Sequence, residues 1–358
     1  MRILHLLNHT RRMNGHVHAA IDLACAQVEL GHTVAMASQG GDFDALLQRN
    51  GIETFVVDHE RRPGPVLKSM VGLTTLLRRW RPDVVHAHMM TSAVLAWPAC
   101  KLTRVALVTT VHNEFEKGAI LMGLGNRVIA VSAAVAKSMQ KRGISAARID
   151  VVLNGTIGSA RMTGRSEVPK ALDHPAIVFV GGLHPRKGLP DLLQAFDAVH
   201  AQHPAVRLYV VGDGPTLHTY AQMAREMASA AAISFTGPQD DPYPWMLGAD
   251  IFVLPSHADP APLVLSEARE AGCAVIATRV DGIPELLGQG VSGILVPPRA
   301  PDKIADALRM LVTDPSQLQA WRAKSQSDID NLRIERVANE TIAVYGRAVG
   351  RRAKRSAA

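Results

Sequence analysis

The sequence predicts an α/β protein built as two doubly wound halves, each a parallel sheet with helices on both faces. Three observations carry that expectation. Short β-like runs alternate with helical stretches along nearly the whole chain. The alternation pauses once, at residues 163–175. Glycine-rich turns recur where a strand gives way to a helix. A length of 358 residues suits two cores better than one.

In the first half, residues 3–7, 33–37, 84–87, 106–111 and 128–131 read as strands, with helical patterns at 17–30 and 66–80 between them. At residues 163–175, glycine, proline and charge replace apolar periodicity, which marks an interdomain linker. The order resumes with strands at 176–181, 208–211, 233–235, 251–254, 275–277 and 294–296. Helices at 189–201, 217–228, 262–271 and 301–311 intervene. The predicted domains are residues 1–165 and 166–333. Residues 334–358 form a helix and basic tail expected to pack back toward the first domain. Two such sheets facing one another make a cleft at the carboxyl ends of their strands, where this architecture binds ligands.

Composition narrows the function. Hydrophobic residues make up 47% and aromatics only 4%, as in a globular enzyme of tightly packed helices on sheets. The start is too soon interrupted by Asn8, His9, Arg11 and Arg12 to read as a signal peptide. The longest apolar stretch, about residues 89–100, is too short to span a bilayer. Three cysteines, Cys25, Cys100 and Cys273, are far apart and form no CxxC pair, which points to a reducing cytosol and away from zinc. The net charge of +7 is unevenly placed: residues 1–150 carry 18 Lys and Arg against 11 Asp and Glu, whereas residues 151–358 carry 21 of each. Arg347, Arg351, Arg352, Lys354 and Arg355 add a basic tail. The basic half and tail serve either solubility or attraction to an anionic membrane or acceptor. No aromatic-basic interleaving points to nucleic acid.

Two segments carry the chemistry. In Phe179-Val-Gly-Gly-Leu-His-Pro-Arg-Lys-Gly188 a strand ends in two glycines and a helix begins, so the backbone can approach a phosphate at a helix start. Lys187 would set a positive charge beside a departing diphosphate. The alternative is an ordinary turn with exposed cations. It is not a Walker A loop, because Gly188 follows the lysine. In Leu254-Pro-Ser-His-Ala-Asp-Pro-Ala-Pro-Leu-Val-Leu-Ser-Glu-Ala-Arg-Glu-Ala-Gly272, Asp259 sits in the loop after a strand and Glu267 eight residues on, one turn along the helix from Leu263. Such a pair can hold sugar and ribose hydroxyls, with phosphates on the helix start between them. A solvated acid and a capping aspartate are the plain alternative.

These segments, with Val210-Val-Gly-Asp-Gly-Pro215 and Val280-Asp-Gly-Ile-Pro-Glu285, resemble the donor domain of retaining glycosyltransferase family 4 (glycosyl transferases group 1), which has the GT-B fold. That family shows a G-R-L-x-x-x-K-G segment, an E-x7-E pair and a G-G-x-P-E turn. Pro82-Asp-Val-Val-His-Ala-His88, Thr109-Thr-Val-His112, Val128-Ile-Ala-Val-Ser132 and Val152-Leu-Asn-Gly155 match first-domain segments in order, so the resemblance runs from about residue 3 to 312.

The resemblance implies a hexosyltransferase moving sugar from a UDP- or GDP-sugar to a glycan or lipid-linked acceptor, in polysaccharide or lipopolysaccharide synthesis. It implies no cofactor and no metal. The cysteine usage and the basic first half and tail point to a cytoplasmic enzyme with peripheral contact at the inner face of the membrane. By the same implication Lys187 contacts the diphosphate, Glu267 the ribose, and Asp259 the transferred sugar. Gly182, Arg186, Leu263 and Val264 line the donor, and Gly15 belongs to the phosphate-side loop of the first domain. His112 faces the reacting sugar, a structural histidine being the alternative.

The departures are specific. Gly182 stands where the family has arginine, with Arg186 a candidate replacement. Asp259 replaces the first Glu. Pro260 and Pro262 remove two backbone donors, leaving Ala261, Leu263 and Val264. Asn14 and Asp281 each replace the first glycine of a pair.

Other clusters rank lower. His86 and His88 point the same way from one strand but have no third metal ligand in the sequence pattern. The pairs Asp42/Asp44 and Asp240/Asp241 read as turn and cap residues. Gly212-Asp-Gly214 lacks the third glycine of a dinucleotide fingerprint. Rival functions are a non-hydrolysing nucleotide-sugar epimerase of the same fold and a non-catalytic nucleotide-sugar or polysaccharide-binding protein.

Overall fold

A computed structural model describes residues 1–12, 14–57 and 63–356. The chain divides into two units, residues 1–163 with 332–358, and residues 164–331.

The first unit begins β1 (Arg2–Leu6), α1 (Gly15–Glu29), β2 (Thr33–Ser38), α2 (Asp44–Arg49), β3 (Glu53–Val56) and α3 (Pro63–Trp80). It continues β4 (Val84–Ala87), α4 (Met90–Thr103), β5 (Ala106–Val111), β6 (Arg127–Ala130), α5 (Ala133–Lys141) and β7 (Ile149–Val151). Its sheet is wholly parallel in the order β3-β2-β1-β4-β5-β6-β7. The central strands are mostly apolar because both faces are covered, with His5 in β1, His86 in β4 and Thr109 and Thr110 in β5 as the polar exceptions. The strand order reverses between β1 and β4, the switch point at whose carboxyl end such sheets open a crevice.

The second unit runs β8 (Ala176–Val180), α6 (Leu189–His200), β9 (Arg207–Val211), α7 (Leu217–Arg225), β10 (Ile233–Gly237), α8 (Tyr243–Gly248) and β11 (Ile251–Leu254). Then come α9 (Leu263–Glu270), β12 (Ala274–Thr278), α10 (Ile283–Leu286), β13 (Ile294–Val296), α11 (Pro301–Thr313) and α12 (Pro315–Ser325). Its parallel order is β10-β9-β8-β11-β12-β13, with the switch point between β8 and β11. Two Rossmann-like units in one chain are the GT-B composition that the resemblance implies.

Two strands escape the sequence pattern, β3 and β7. Both are sheet edges, short and polar: β3 is Glu-Thr-Phe-Val with Val56 88% exposed, and β7 is Ile-Asp-Val. An edge strand needs no apolar face on both sides, so it leaves no apolar run to read. The apolar stretch at 89–100 is α4, which packs on α3. No helix among the described residues is long and apolar enough to cross a membrane.

Residues 164–175 carry no strand or helix but are fastened to the second unit. Arg165 pairs with Glu270 at 2.8 Å and stacks over Tyr243, and the Lys170 amide donates to the Pro244 carbonyl. The last helix, α13 (Ile334–Ser356), belongs to the first unit. Val337, Ala338, Val344, Tyr345 and Ala348 join α1 and the sheet in one core. Arg347 reaches Asp150 at 2.9 Å. The side chains of the basic tail from Arg351 onward lie outside the described residues.

Candidate active site

In the second unit the site grows from two loops at the switch point. The loop after β8 holds Gly181 to Gly188, and the loop after β11 holds Pro255 to Pro262. They are stitched together: the His257 amide donates to the Arg186 carbonyl at 2.7 Å, and His257 Nε2 meets Asp191 Oδ2 at 2.7 Å. Gly188 takes φ +67°, and a Cβ there would sit 2.0 Å from the Pro255 carbonyl oxygen, so only glycine lets the loops close. Gly212, just past the neighbouring strand β9, is constrained in the same way. Its φ is +137°, and a Cβ would meet the Gly181 carbonyl oxygen at 2.1 Å. Thus Gly212-Asp-Gly214 shapes the β8 loop, and the Leu183 amide donates to the Asp213 carbonyl at 2.8 Å.

These constraints bring Lys187, Arg186 and Asp259 together. Lys187 Nζ donates to Asp259 Oδ2 at 2.6 Å, and Arg186 lies 3.7 Å from Asp259 Oδ1. Lys187 and Asp259 are buried, whereas the Arg186 side chain is 43% exposed. Asp259 also accepts from Ser256 Oγ at 3.3 Å, and its amide donates to Asp281 Oδ2 at 2.7 Å.

Asp281 is a site residue that the motif reading registers only as a departure from glycine. It adopts φ +44°, the left-handed conformation that glycine would take without strain, and its carboxylate ties down the Asp259 loop. Burial pushes its carboxyl above the usual range.

Leu263 and Val264 open α9, where first-turn amides fall outside the helix's own ladder. Glu267 follows one turn later, half-buried. Gly182 is also half-buried in the β8 loop, and a Cβ there would meet only the His184 ring, at 3.3 Å, and the Asp213 carbonyl, at 3.9 Å. Asp42 and Asp44 brace loops, accepting from the Arg12 amide at 2.8 Å and from Thr10 Oγ1 at 2.6 Å. Asp241 accepts from the Ser166 and Tyr243 amides.

In the first unit, His112 stands just past β5, half-buried, and Gly15 opens α1. His16, next to Gly15, comes within 6.3 Å of His112 between ring centroids. Burial, then the neighbouring His16, lowers the His112 pKa to about 3, so its ring is neutral. His88 Nδ1 lies 3.1 Å from His112 Nε2, and His5 Nδ1 lies 2.8 Å from His88 Nε2. The third histidine absent from the sequence pattern is therefore His5, delivered by β1. Its sequence signal was only a lone histidine in an apolar strand.

Nitrogens of His5, His86 and His88 could converge on a metal ion. Each ring nitrogen of the three already has a hydrogen-bond partner among the described residues. Among the described residues, the three cysteines are free and buried.

Comparison with known proteins matches both units to family profiles. Residues 13–156 match the profile described as Glycosyltransferase Family 4, and residues 174–314 the one described as Glycosyl transferases group 1. A glycogen synthase of Mycobacterium tuberculosis (strain CDC 1551 / Oshkosh) is 31% identical over 296 residues, covering 75% of this chain and 69% of the relative. A putative teichuronic acid biosynthesis glycosyltransferase, TuaC of Bacillus subtilis (strain 168), is 27% identical over 289 residues, covering 76% and 69%. Among solved structures, Anabaena Alr3699/HepE in complex with UDP superposes with a TM-score of 0.81 at 20% identity. That match spans 97% of this chain and 100% of the other.

Proposed function

The chain belongs to the glycosyl transferases group 1, family 4, and is a glycosyltransferase; from that premise we propose that it moves a hexose-type sugar, with retention, from a UDP- or GDP-sugar to a glycan or lipid-linked acceptor. The observation that carries this reading is the cluster of Lys187, Arg186 and Asp259 at the β8/β11 switch point, beside the first turn of α9. The UDP held by the Anabaena structure supports a nucleotide-sugar donor. The teichuronic acid relative supports a polysaccharide as product, and a relative named for lipopolysaccharide core biosynthesis supports lipopolysaccharide as the other case.

In this reading Lys187 and Arg186 stabilise charge that grows on the departing diphosphate, and the amides of Leu263 and Val264 assist. Glu267 accepts from the ribose hydroxyls. Asp259 orients the transferred sugar, and Gly182 leaves room beside the phosphates. His112 accepts from a hydroxyl of the reacting sugar, and Gly15 lets the chain pass close to donor and acceptor. Asp259 is held by Lys187 and Asp281 accepts from the Asp259 amide, so both carboxylates have structural partners, and front-face departure and attack, with the leaving phosphate taking the acceptor's proton, is the chemistry of this reading. No metal or cofactor is required.

The enzyme works in the cytoplasm at the inner face of the membrane, drawn there by the basic first unit and tail. Co-sedimentation with anionic vesicles that weakens as salt rises would match this placement; salt-insensitive binding would not.

The deciding experiment incubates the purified protein with a panel of UDP- and GDP-sugars and follows nucleotide release, with and without membrane lipid extract. Release should require an acceptor, Lys187→Ala should abolish it, and the product linkage should keep the donor's anomeric configuration. Absence of nucleotide binding, or full activity in Lys187→Ala, would sink the donor-site reading.

A further inference from the structure

Seven side chains of the first unit form one hydrogen-bonded chain that runs from the core to the half-buried His112. Thr110 Oγ1 meets His86 Nε2 at 2.6 Å, and His86 Nδ1 meets the Tyr345 hydroxyl at 2.6 Å. Gln27 Nε2 donates to Tyr345 at 3.2 Å, and Gln27 Oε1 meets His5 Nε2 at 2.8 Å. His5 Nδ1 then meets His88 Nε2 at 2.8 Å, and His88 Nδ1 meets His112 Nε2 at 3.1 Å. His5, Gln27, His86, His88 and Tyr345 are all buried. Burial lowers the pKa of each of the histidines and raises that of Tyr345, so every member is neutral.

A neutral imidazole has one donor nitrogen and one acceptor nitrogen. A run of such rings, each bonded through both nitrogens, can carry its protons in only one of two directions. Gln27 breaks the tie, since its amide oxygen cannot donate and its amide nitrogen cannot accept. His5 must carry its proton on Nε2, which leaves Nδ1 to accept from His88 Nε2–H. His88 Nδ1 must then accept from His112 Nε2–H. On the other arm Tyr345 accepts from Gln27, so its own proton goes to His86 Nδ1, and His86 Nε2–H donates to Thr110. The open end is His112 Nδ1, a lone pair that meets no hydrogen-bond partner among the described residues.

We infer that Gln27, His5 and His88 are positioning residues that hold His112 in the Nε2–H tautomer and so present its Nδ1 as a hydrogen-bond acceptor to a hydroxyl of the bound sugar. Tyr345 of α13 accepts from the Gln27 amide and donates its own proton to His86 Nδ1, so the last helix completes the run in the direction that the Gln27 amide faces. This gives the last helix a role in the site without touching substrate. The catalytic consequence rests on the proposed role of His112; the tautomer itself does not.

The test is nitrogen NMR of the full chain labelled with 15N-histidine, with His112→Gln used to assign the His112 signals. The wild type should show His112 as Nε2–H without any substrate. Gln27→Glu offers only acceptors, so it should leave His112 as Nε2–H while inverting His86 to Nδ1–H. Tyr345→Phe removes one oxygen and keeps the packing. It should free the amide, give His112 as a tautomer mixture, and lower kcat by about three- to tenfold, the worth of one hydrogen bond, with the donor KM little changed.

An Nδ1–H tautomer on wild-type His112 would overturn the inference, as would an unchanged tautomer in Tyr345→Phe. Stoichiometric metal in the purified protein, with these imidazole hydrogen bonds gone, would overturn it as well. Because the tautomer is read without substrate, a protein that proves inactive on every nucleotide-sugar would count against the proposed function alone.

Discussion

Lys187 Nζ and Asp259 Oδ2 lie 2.6 Å apart in a buried ion pair, with side chains 11% and 7% exposed. The cation proposed to meet the donor diphosphate therefore already has a carboxylate partner, and a diphosphate has to compete with it. A buried pair is costly to break by deleting one member, since the survivor keeps its desolvation penalty.

Asp259→Asn keeps the shape of this pair and removes its charge. Nucleoside diphosphate should then bind about tenfold tighter, the scale of one released charge-assisted bond, while sugar transfer falls. Titration calorimetry with UDP and GDP, beside turnover, reads both effects. Unchanged or weaker nucleotide binding would mean that Asp259 does not compete.

Gly188→Ala forces a Cβ to within 2.0 Å of the Pro255 carbonyl oxygen at φ +67°. The second unit should lose about 2 kcal/mol or more, and activity should drop because Lys187 is the preceding residue. Gly51 supplies the control. Its φ is +72° but a Cβ there meets nothing within 4 Å, so Gly51→Ala should cost only about 1 kcal/mol. Equal melting temperatures for the two variants would contradict the steric account.

Gly182→Arg restores the family's usual side chain. Its Cβ would press only on the His184 ring, at 3.3 Å, so the fold should persist. A further guanidinium beside the phosphates should tighten nucleotide binding severalfold. Weaker binding would show that Arg186 already occupies that role.

The buried histidines make stability pH-dependent. Burial lowers the His5 pKa to about 4 and holds His86 and His88 well below the ordinary value. In the unfolded chain they titrate near ~6.5. As pH falls below that, the unfolded state gains protons that the folded state refuses. Stability is therefore full above about pH 7 and is lost toward pH 4. His5 alone should account for about 2 kcal/mol between pH 7 and pH 5, and His86 and His88 add in the same direction. Thermal melts across that range check this; a flat profile would mean that the histidines ionise inside the fold.

The alternation of apolar runs with helical periodicity determined the two parallel sheets, because strands buried on both faces and helices buried on one leave periodic traces in neighbouring residues. Glycines at the end of β8 located the loop that follows it, and prolines marked the loop after β11, for the same local reason. The edge strands β3 and β7 left no such trace.

What only the tertiary structure decided is pairing over distance. Lys187 and Asp259 are 72 residues apart, and Gln27 and Tyr345 are 318 apart. Their contact depends on crossover helices returning neighbouring strands to register and on a last helix packing onto the first. The sequence named the residues that could carry charge and protons. Which carboxylate faces which cation, and which way a chain of imidazoles points its protons, was decided by packing, since hydrogen bonding is directional and acts only between groups the fold has brought to within about 3 Å.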